Sequence, residues 1–145
     1  GSAALVLFDV DHFKQVNDQR GHEAGDIVLE RTSRVLRRAV RAEDTVGRFG
    51  GEEFLVLLPS ADLARARADA EILRLQVRSQ PLPLADQLLH LSVSIGVAEW
   101  AGPAEDLSRL LARADAALYR AKAGGRDRVE ADVGDAGELR AQAAG

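Results

Sequence analysis

Arg48-Phe49-Gly50-Gly51-Glu52-Glu53-Phe54 divides two short apolar-rich runs, residues 45–49 and 54–58. A glycine pair between strand-like runs signals a hairpin, because tight turns need a positive φ that glycine adopts without steric cost. Glu52 and Glu53 follow the turn, and Pro59 ends the second strand. Upstream, residues 3–8 are continuously apolar and lead into Asp9-Val10-Asp11. Such a run reads as a strand buried on both faces, with carboxylates at its exit. If that strand lies beside the hairpin, Asp9 and Glu52 converge at one end of the sheet.

The remaining chain alternates helix and strand. Residues 13–16 start a short helix that the pattern interrupts near Asn17-Asp18 and again at Gly21. From Asp26, read as an N-cap, Val28, Thr32, Val35, Leu36 and Ala39 recur at helical spacing. Residues 62–77 form a second amphipathic helix, with Leu63, Ala66, Ala70, Leu73 and Val77 on one side. Pro81 and Pro83 mark a loop, and residues 89–98 alternate as a strand through Leu91, Val93, Ile95 and Val97. Residues 106–123 form the last helix, with Leu107, Leu110, Leu111, Ala114, Ala117, Leu118 and Ala121 inward and Gly124-Gly125 as its C-terminal cap. Residues 128–130 suit a short final strand, and residues 131–145 read as a flexible tail. This order predicts an α+β (mixed α/β) fold whose central, largely antiparallel sheet is flanked by helices.

The 145 residues, 46% of them hydrophobic, suit one compact domain. A net charge of −4 argues against a general nucleic-acid surface, which needs a basic field. Without cysteine there is no disulfide or thiolate metal site, which agrees with a cytoplasmic domain. No apolar stretch approaches the roughly 20 residues of a membrane span, so no membrane contact is expected. Methionine is absent and the chain opens Gly1-Ser2, which reads as a cloning scar on a piece of a longer protein.

Asp9 and Glu52 are hard oxygen donors. Such donors suit Mg²⁺, which takes a few carboxylates and completes its shell from phosphate and water. Taken alone, the same acids read as a helix cap and a solvated turn. The wider pattern is more specific. Phe8-Asp9-Val10-Asp11-His12-Phe13-Lys14-Gln15-Val16-Asn17-Asp18, then Gly21-His22-Glu23-Ala24-Gly25-Asp26, then the hairpin, resemble the GGDEF family of diguanylate cyclases. Ser94-Ile95-Gly96-Val97-Ala98 and residues 116–126 are similar to the family's later blocks, so the resemblance spans residues 4–129 and places the domain at residues 3–130.

The resemblance implies a palm-like, nucleotide-cyclase-like fold that condenses two GTP into cyclic di-GMP and releases two pyrophosphates. It implies two Mg²⁺ (or Mn²⁺) per half-site, held by Asp9, the Val10 carbonyl and Glu52. Glu52 would also be the general base, Glu53 a supporting acid and Lys14 a stabiliser of phosphate charge. Asn17 and Asp26 would read guanine, with Phe13 and Gly51 at the nucleotide and Lys122 and Arg126 on the triphosphate. A carboxylate can accept from guanine N1–H and the N2 amino group together, which adenine cannot supply. His12 and His22 fall within the matched blocks and are assigned structural roles.

Arg41-Ala42-Glu43-Asp44 has the RxxD form of the family's inhibitory site for cyclic di-GMP, with Arg74 on the next helix as a candidate third member. Its bland reading is an exposed ion pair at a helix end. The sequence departs from the family in two places. It starts at the first strand, where members usually carry a DxLT-type turn and a helix that wall the guanine pocket and lead to a regulatory domain. It also has Asp127 where the family often has Asn. The resemblance implies a homodimer, because each domain would hold one GTP. The alternatives are a catalytically silent cyclic di-GMP receptor module and a single-substrate purine nucleotide cyclase.

Overall fold

The computed structural model describes residues 2–85 and 87–132. The elements run β1 (Ala4–Val10), α1 (Phe13–Arg20), α2 (His22–Ala39), β2 (Thr45–Arg48), β3 (Glu53–Leu58), α3 (Leu63–Arg78), β4 (Leu82–Leu84), β5 (Gln87–Leu89), β6 (Val93–Glu99), α4 (Leu107–Ala123) and β7 (Arg128–Ala131). Five strands form one sheet in the order β2-β3-β1-β6-β7, and β4-β5 form a separate pair. β1 is antiparallel to both of its neighbours, and only β7 runs parallel to its partner, β6. The expected α+β architecture is therefore present, with the continuously apolar β1 at the centre and every residue of it buried.

Side chains alternate across the strands and divide the core between two faces. Val6, Phe8 and Val10 of β1 join Val93, Ile95 and Val97 of β6 beneath α1, α2 and α3. Phe8 and Phe54, opposite each other in the β1–β3 register, stack with ring centroids 5.0 Å apart. On the other face Leu5, Leu7 and Ala98 pack against Leu110, Ala114 and Leu118 of α4. Asp9 continues the Leu5–Leu7 row, so its carboxylate falls on the α4 side of the sheet.

The helix starts differ from the sequence reading. α1 runs through Asn17-Asp18 to Arg20 and breaks only at Gly21, whose φ is 88° and whose N–H donates to Asn17 O. The propensity cost of an Asn or Asp in a helix is only about 0.7 kcal/mol or less, and burial of Phe13 and Val16 offsets it. Because Gly21 already turns the chain, α2 begins at His22. Asp26 is therefore an exposed residue one turn inside α2 and not its N-cap. Asp62 and Asp106 do cap, each accepting from the backbone N–H three residues on at 2.9 Å. Leu107, expected inward, follows its cap directly and is 63% exposed. The segment read as a proline loop forms β4, with Pro83 inside a two-stranded pair where its missing N–H is tolerated.

β7 ends at Ala131, and Asp132 N–H donates to Val97 O at 2.7 Å. Residues 133–145, the rest of the expected tail, lie outside the described residues, as do Gly1 and Asp86. Among the described residues no helix is long and apolar enough to cross a membrane.

Candidate active site

The hairpin brings acids together because of its register. β2 and β3 are joined through residues 49–52, closed by Phe49 N–H donating to Glu53 O at 2.7 Å and by Arg48 reaching Gly51 O. The positive φ that the turn requires falls on Gly50, at 83°. A Cβ at Gly51 would meet no atom of the described residues within 4 Å, so the bare surface there faces outward. Glu53 is the antiparallel partner of Asp9, and Glu52 precedes it on the turn. The expected convergence of Asp9 with the hairpin acids is thus realised at the end of β1.

Asp9 is 4% exposed. One of its oxygens, Oδ2, pairs with Lys122 Nζ from the last turn of α4, while Oδ1 is buried without a hydrogen-bond partner among the described residues. Burial pushes the Asp9 carboxyl above the usual carboxylate range, against the pull of Lys122. Burial also raises Glu52 and Glu53, and the Asp9 charge adds to both. A buried orphan oxygen beside two acids of raised pKa is a site short of positive charge. Among the described residues no three His, Cys, Asp or Glu side chains are arranged to hold a metal by themselves. A cation here would take Asp9 and Glu52, and complete its shell from backbone carbonyl, phosphate and water, as magnesium commonly does.

Asp11, two residues on, carries no charge chemistry in the sequence reading but anchors the neighbourhood. Its carboxylate accepts from Ser94 Oγ at 2.6 Å, Ser92 Oγ at 2.7 Å and the Asp127 backbone N–H at 3.0 Å. The Arg126 guanidinium lies 4.0 Å from it. Arg126 therefore stands beside Asp11, and Lys122 beside Asp9, along the α4 side of the strand end. Lys14 is exposed in the first turn of α1, a helix without a side-chain N-cap. That leaves the positive end of the α1 dipole open beside the exit of β1.

The residues expected to read the base lie on the other side, on α1 and α2. Asp26 lines a cleft of about 500 Å³ with Leu29, Arg34, Arg37, Arg48 and Phe54. This lies within the range of small-molecule sites, about 300–1,000 Å³. Asn17 sits against Gly25, where a Cβ would overlap its Oδ1 and come within 3.2 Å of the Phe13 ring. Phe13 itself is buried, so it shapes the floor beneath Asn17. On the expectation that Asn17 contacts the base, Gly25→Ala displaces it and weakens guanine-nucleotide binding about tenfold, the loss of roughly one hydrogen bond. Calorimetry with GMP checks this, and an unchanged affinity would separate Asn17 from the base.

The GGDEF family profile, described as diguanylate cyclase, GGDEF domain, matches residues 1–128. The chain belongs to the GGDEF family. Diguanylate cyclase A of Treponema denticola is 38% identical over 126 residues, covering 87% of this chain and 34% of that protein. The GGDEF domain of DgcB from Caulobacter crescentus, solved in complex with c-di-GMP, aligns with a TM-score of 0.86 at 36% identity over 90% of this chain and 78% of that one. The active GGEEF domain of a diguanylate cyclase from Vibrio cholerae, with the same hairpin letters as Gly50-Gly51-Glu52-Glu53-Phe54, aligns with a TM-score of 0.83 at 30% identity, covering 90% of this chain and 83% of that chain. This GGDEF chain spans less than half the length of such curated relatives, from 19% to 41%.

Beyond the C-terminal end of α2, on the α3 side of the GGDEF sheet, Arg41 and Asp44 form a closed turn beside Val56, Leu58 and Leu73. Arg41 N–H donates to Asp44 Oδ2 at 2.8 Å, and Asp44 N–H returns to Arg41 O at 3.1 Å. The Arg41 guanidinium pairs with Asp69 of α3 at 2.9 Å. Arg74, the third residue assigned to this second site, is engaged elsewhere: Nε and Nη2 donate to Glu71, and Nη1 donates to Asp127 Oδ1 at 2.8 Å. The α3 residue that meets Arg41 is Asp69, which the sequence reading did not single out.

Proposed function

We propose that this GGDEF domain condenses two GTP into cyclic di-GMP, each of two copies presenting one nucleotide to the other. In each half-reaction the 3′-oxygen of one GTP bonds to the α-phosphorus of the other. The bond from that phosphorus to the pyrophosphate oxygen breaks, and the hydroxyl proton is lost. The observation that carries this reading is the buried, unpartnered Asp9 Oδ1 beside Glu52 and Glu53 at the end of β1. The DgcB domain solved with c-di-GMP and the active GGEEF domain of the Vibrio cholerae cyclase support it.

Asp9, the Val10 carbonyl and Glu52 would hold Mg²⁺ or Mn²⁺, two ions per half-site with the phosphates. When bound, such ions neutralise phosphate charge and acidify the attacking hydroxyl. Glu52 takes up the hydroxyl proton; its raised pKa moves it toward the range of an effective base. Glu53 adds negative charge at the same strand end. Lys14, Lys122, Arg126 and the open N-terminus of α1 hold the triphosphate. Asp26 and Asn17 accept from and donate to the guanine edge, over the Phe13 floor. The outward face of Gly51 gives the nucleotide room to cross the hairpin.

Each domain supplies half of the reacting pair, so the working unit is a homodimer whose geometry sets the rate. A regulatory domain elsewhere in the protein would control that geometry. Incubation with GTP and Mg²⁺ should yield cyclic di-GMP by mass spectrometry. No turnover would overturn the reading, and a cyclic mononucleotide product would favour the single-substrate alternative.

Arg41 and Asp44 suit product inhibition, since the guanidinium grips phosphate or the guanine O6/N7 edge and the carboxylate accepts from N1–H. Arg41→Ala is expected to weaken cyclic di-GMP binding at least about tenfold by calorimetry. Equal binding by both forms would remove the inhibitory site. Tight binding of cyclic di-GMP without turnover of GTP would instead identify a receptor module.

A further inference from the structure

Asp127 takes no part in the chemistry above, yet it is tethered through both its backbone and its side chain. After α4 the chain passes through three successive positive φ values: 120° at Gly125, 66° at Arg126 and 47° at Asp127. Two of these residues carry a Cβ, and such conformations persist only where the surroundings over-determine them. Contacts from three sides do so. Arg126 N–H donates to Ala121 O at 2.9 Å, and Asp127 N–H donates to the buried Asp11 carboxylate. Arg74 Nη1 donates to Asp127 Oδ1 at 2.8 Å, and Arg78 donates to Oδ2. The Arg74 side chain is only 15% exposed and is itself fixed by Glu71, so it is a rigid clasp.

We propose that Asp127 is a positioning residue for the phosphate-binding Arg126, with Arg74 of α3 as its clasp. This rests on the reading of Arg126 as a triphosphate ligand. The clasp locks the left-handed turn, and the turn sets the direction in which the Arg126 guanidinium, 40% exposed beside Asp11, leaves the strand end. Loss of the clasp lets the turn relax toward ordinary φ and swings Arg126 away from the phosphates. The base-reading residues, carried by α1 and α2, do not depend on that turn. The signature is therefore a loss of preference for the triphosphate over the monophosphate.

The test measures equilibrium binding of 3′-deoxy-GTP, which lacks the attacking hydroxyl, and of GMP, both with Mg²⁺. Asp127→Ala and Arg74→Ala should each weaken 3′-deoxy-GTP about tenfold, the scale of one charge-assisted hydrogen bond, with GMP within about twofold. Asp127→Asn, which keeps an acceptor for Arg74, should retain most of the triphosphate preference. Equal losses for both ligands, or a lowered unfolding midpoint with the preference intact, would reduce Asp127 to a structural residue and overturn the proposal. Arg126→Ala separates the two levels. If it leaves 3′-deoxy-GTP binding unchanged, the triphosphate reading fails and the positioning role with it. If Arg126→Ala loses the preference and Asp127→Ala does not, the positioning role alone fails.

Discussion

Glu52→Gln is expected to lower cyclic di-GMP formation by about 10³-fold, the scale on which removal of a positioned base acts, while leaving the metal-free domain at least as stable as before. The two effects have one cause. Burial and the Asp9 charge raise the Glu52 pKa in the folded chain, so the native state binds protons more readily than the unfolded one. With a raised folded pKa, stability falls as pH rises from the ordinary carboxylate pKa through the raised one, and the full penalty persists above it. Asp9 and Glu53 shift in the same direction. At neutral pH the acids at the end of β1 thus oppose folding, and a neutral glutamine relieves part of that opposition. Thermal unfolding without metal should show Glu52→Gln at or above the parent at pH 7, with the difference vanishing as the medium is made acidic enough to protonate the acids. Added Mg²⁺ with 3′-deoxy-GTP should raise the parent midpoint by linkage and raise that of the variant much less. A metal-free variant markedly less stable than the parent at pH 7 would show Glu52 to be a structural residue.

What the sequence made legible has local causes. The apolar run of β1 reads as a strand buried on both faces because its burial repeats at every position. The glycine pair with two acids places a charged turn between two strands, and the β1–β3 register then brings Glu53 opposite Asp9. The start of α2 escaped because Asp26 looks like a cap, whereas the turn is made at Gly21, whose φ of 88° no composition signal distinguishes from an ordinary break. The partners of the charged side chains were out of reach for a different reason. Asp11 meets Ser92 and Ser94 across 81 and 83 residues, and Arg74 meets Asp127 across 53. Such pairings are fixed by which face of a helix lands on which strand end, and spacing along the chain does not encode that. Arg74 shows the consequence. As an arginine on α3 it suited the RxxD site, but its helical face points toward the β7 loop, and Asp69, five residues earlier, faces Arg41.

Gly96→Ala is expected to destabilise the domain by about 3 kcal/mol, at the upper end of ordinary overpacking costs, and to disable the site at the same time. Gly96 lies on the α4 face of β6, opposite Leu7 of β1. A Cβ there would overlap the backbone of Ala114 and Leu118 and lie 2.8 Å from Leu118 Cα. Backbone cannot rotate aside as a side-chain tip does, so the helix must move off the sheet. That close approach is also what brings the last turn of α4 to the strand end. Lys122 lies one turn beyond Leu118 and reaches Asp9 from there, and the loop that follows carries Arg126 to Asp11. Ser94, two residues before Gly96 on the same strand face, holds Asp11 from the sheet side. A displaced α4 therefore separates Lys122 from Asp9 and strains the Arg126 turn. For a domain of this size the unfolding midpoint should fall by about 10 °C. At a temperature where the variant remains folded, triphosphate binding should drop more than GMP binding, because the residues proposed to read the base, Asn17 and Asp26, belong to α1 and α2 on the opposite face of the sheet. A variant that keeps the parent midpoint would show that α4 has room to spare, and the packing argument for the site would fail with it.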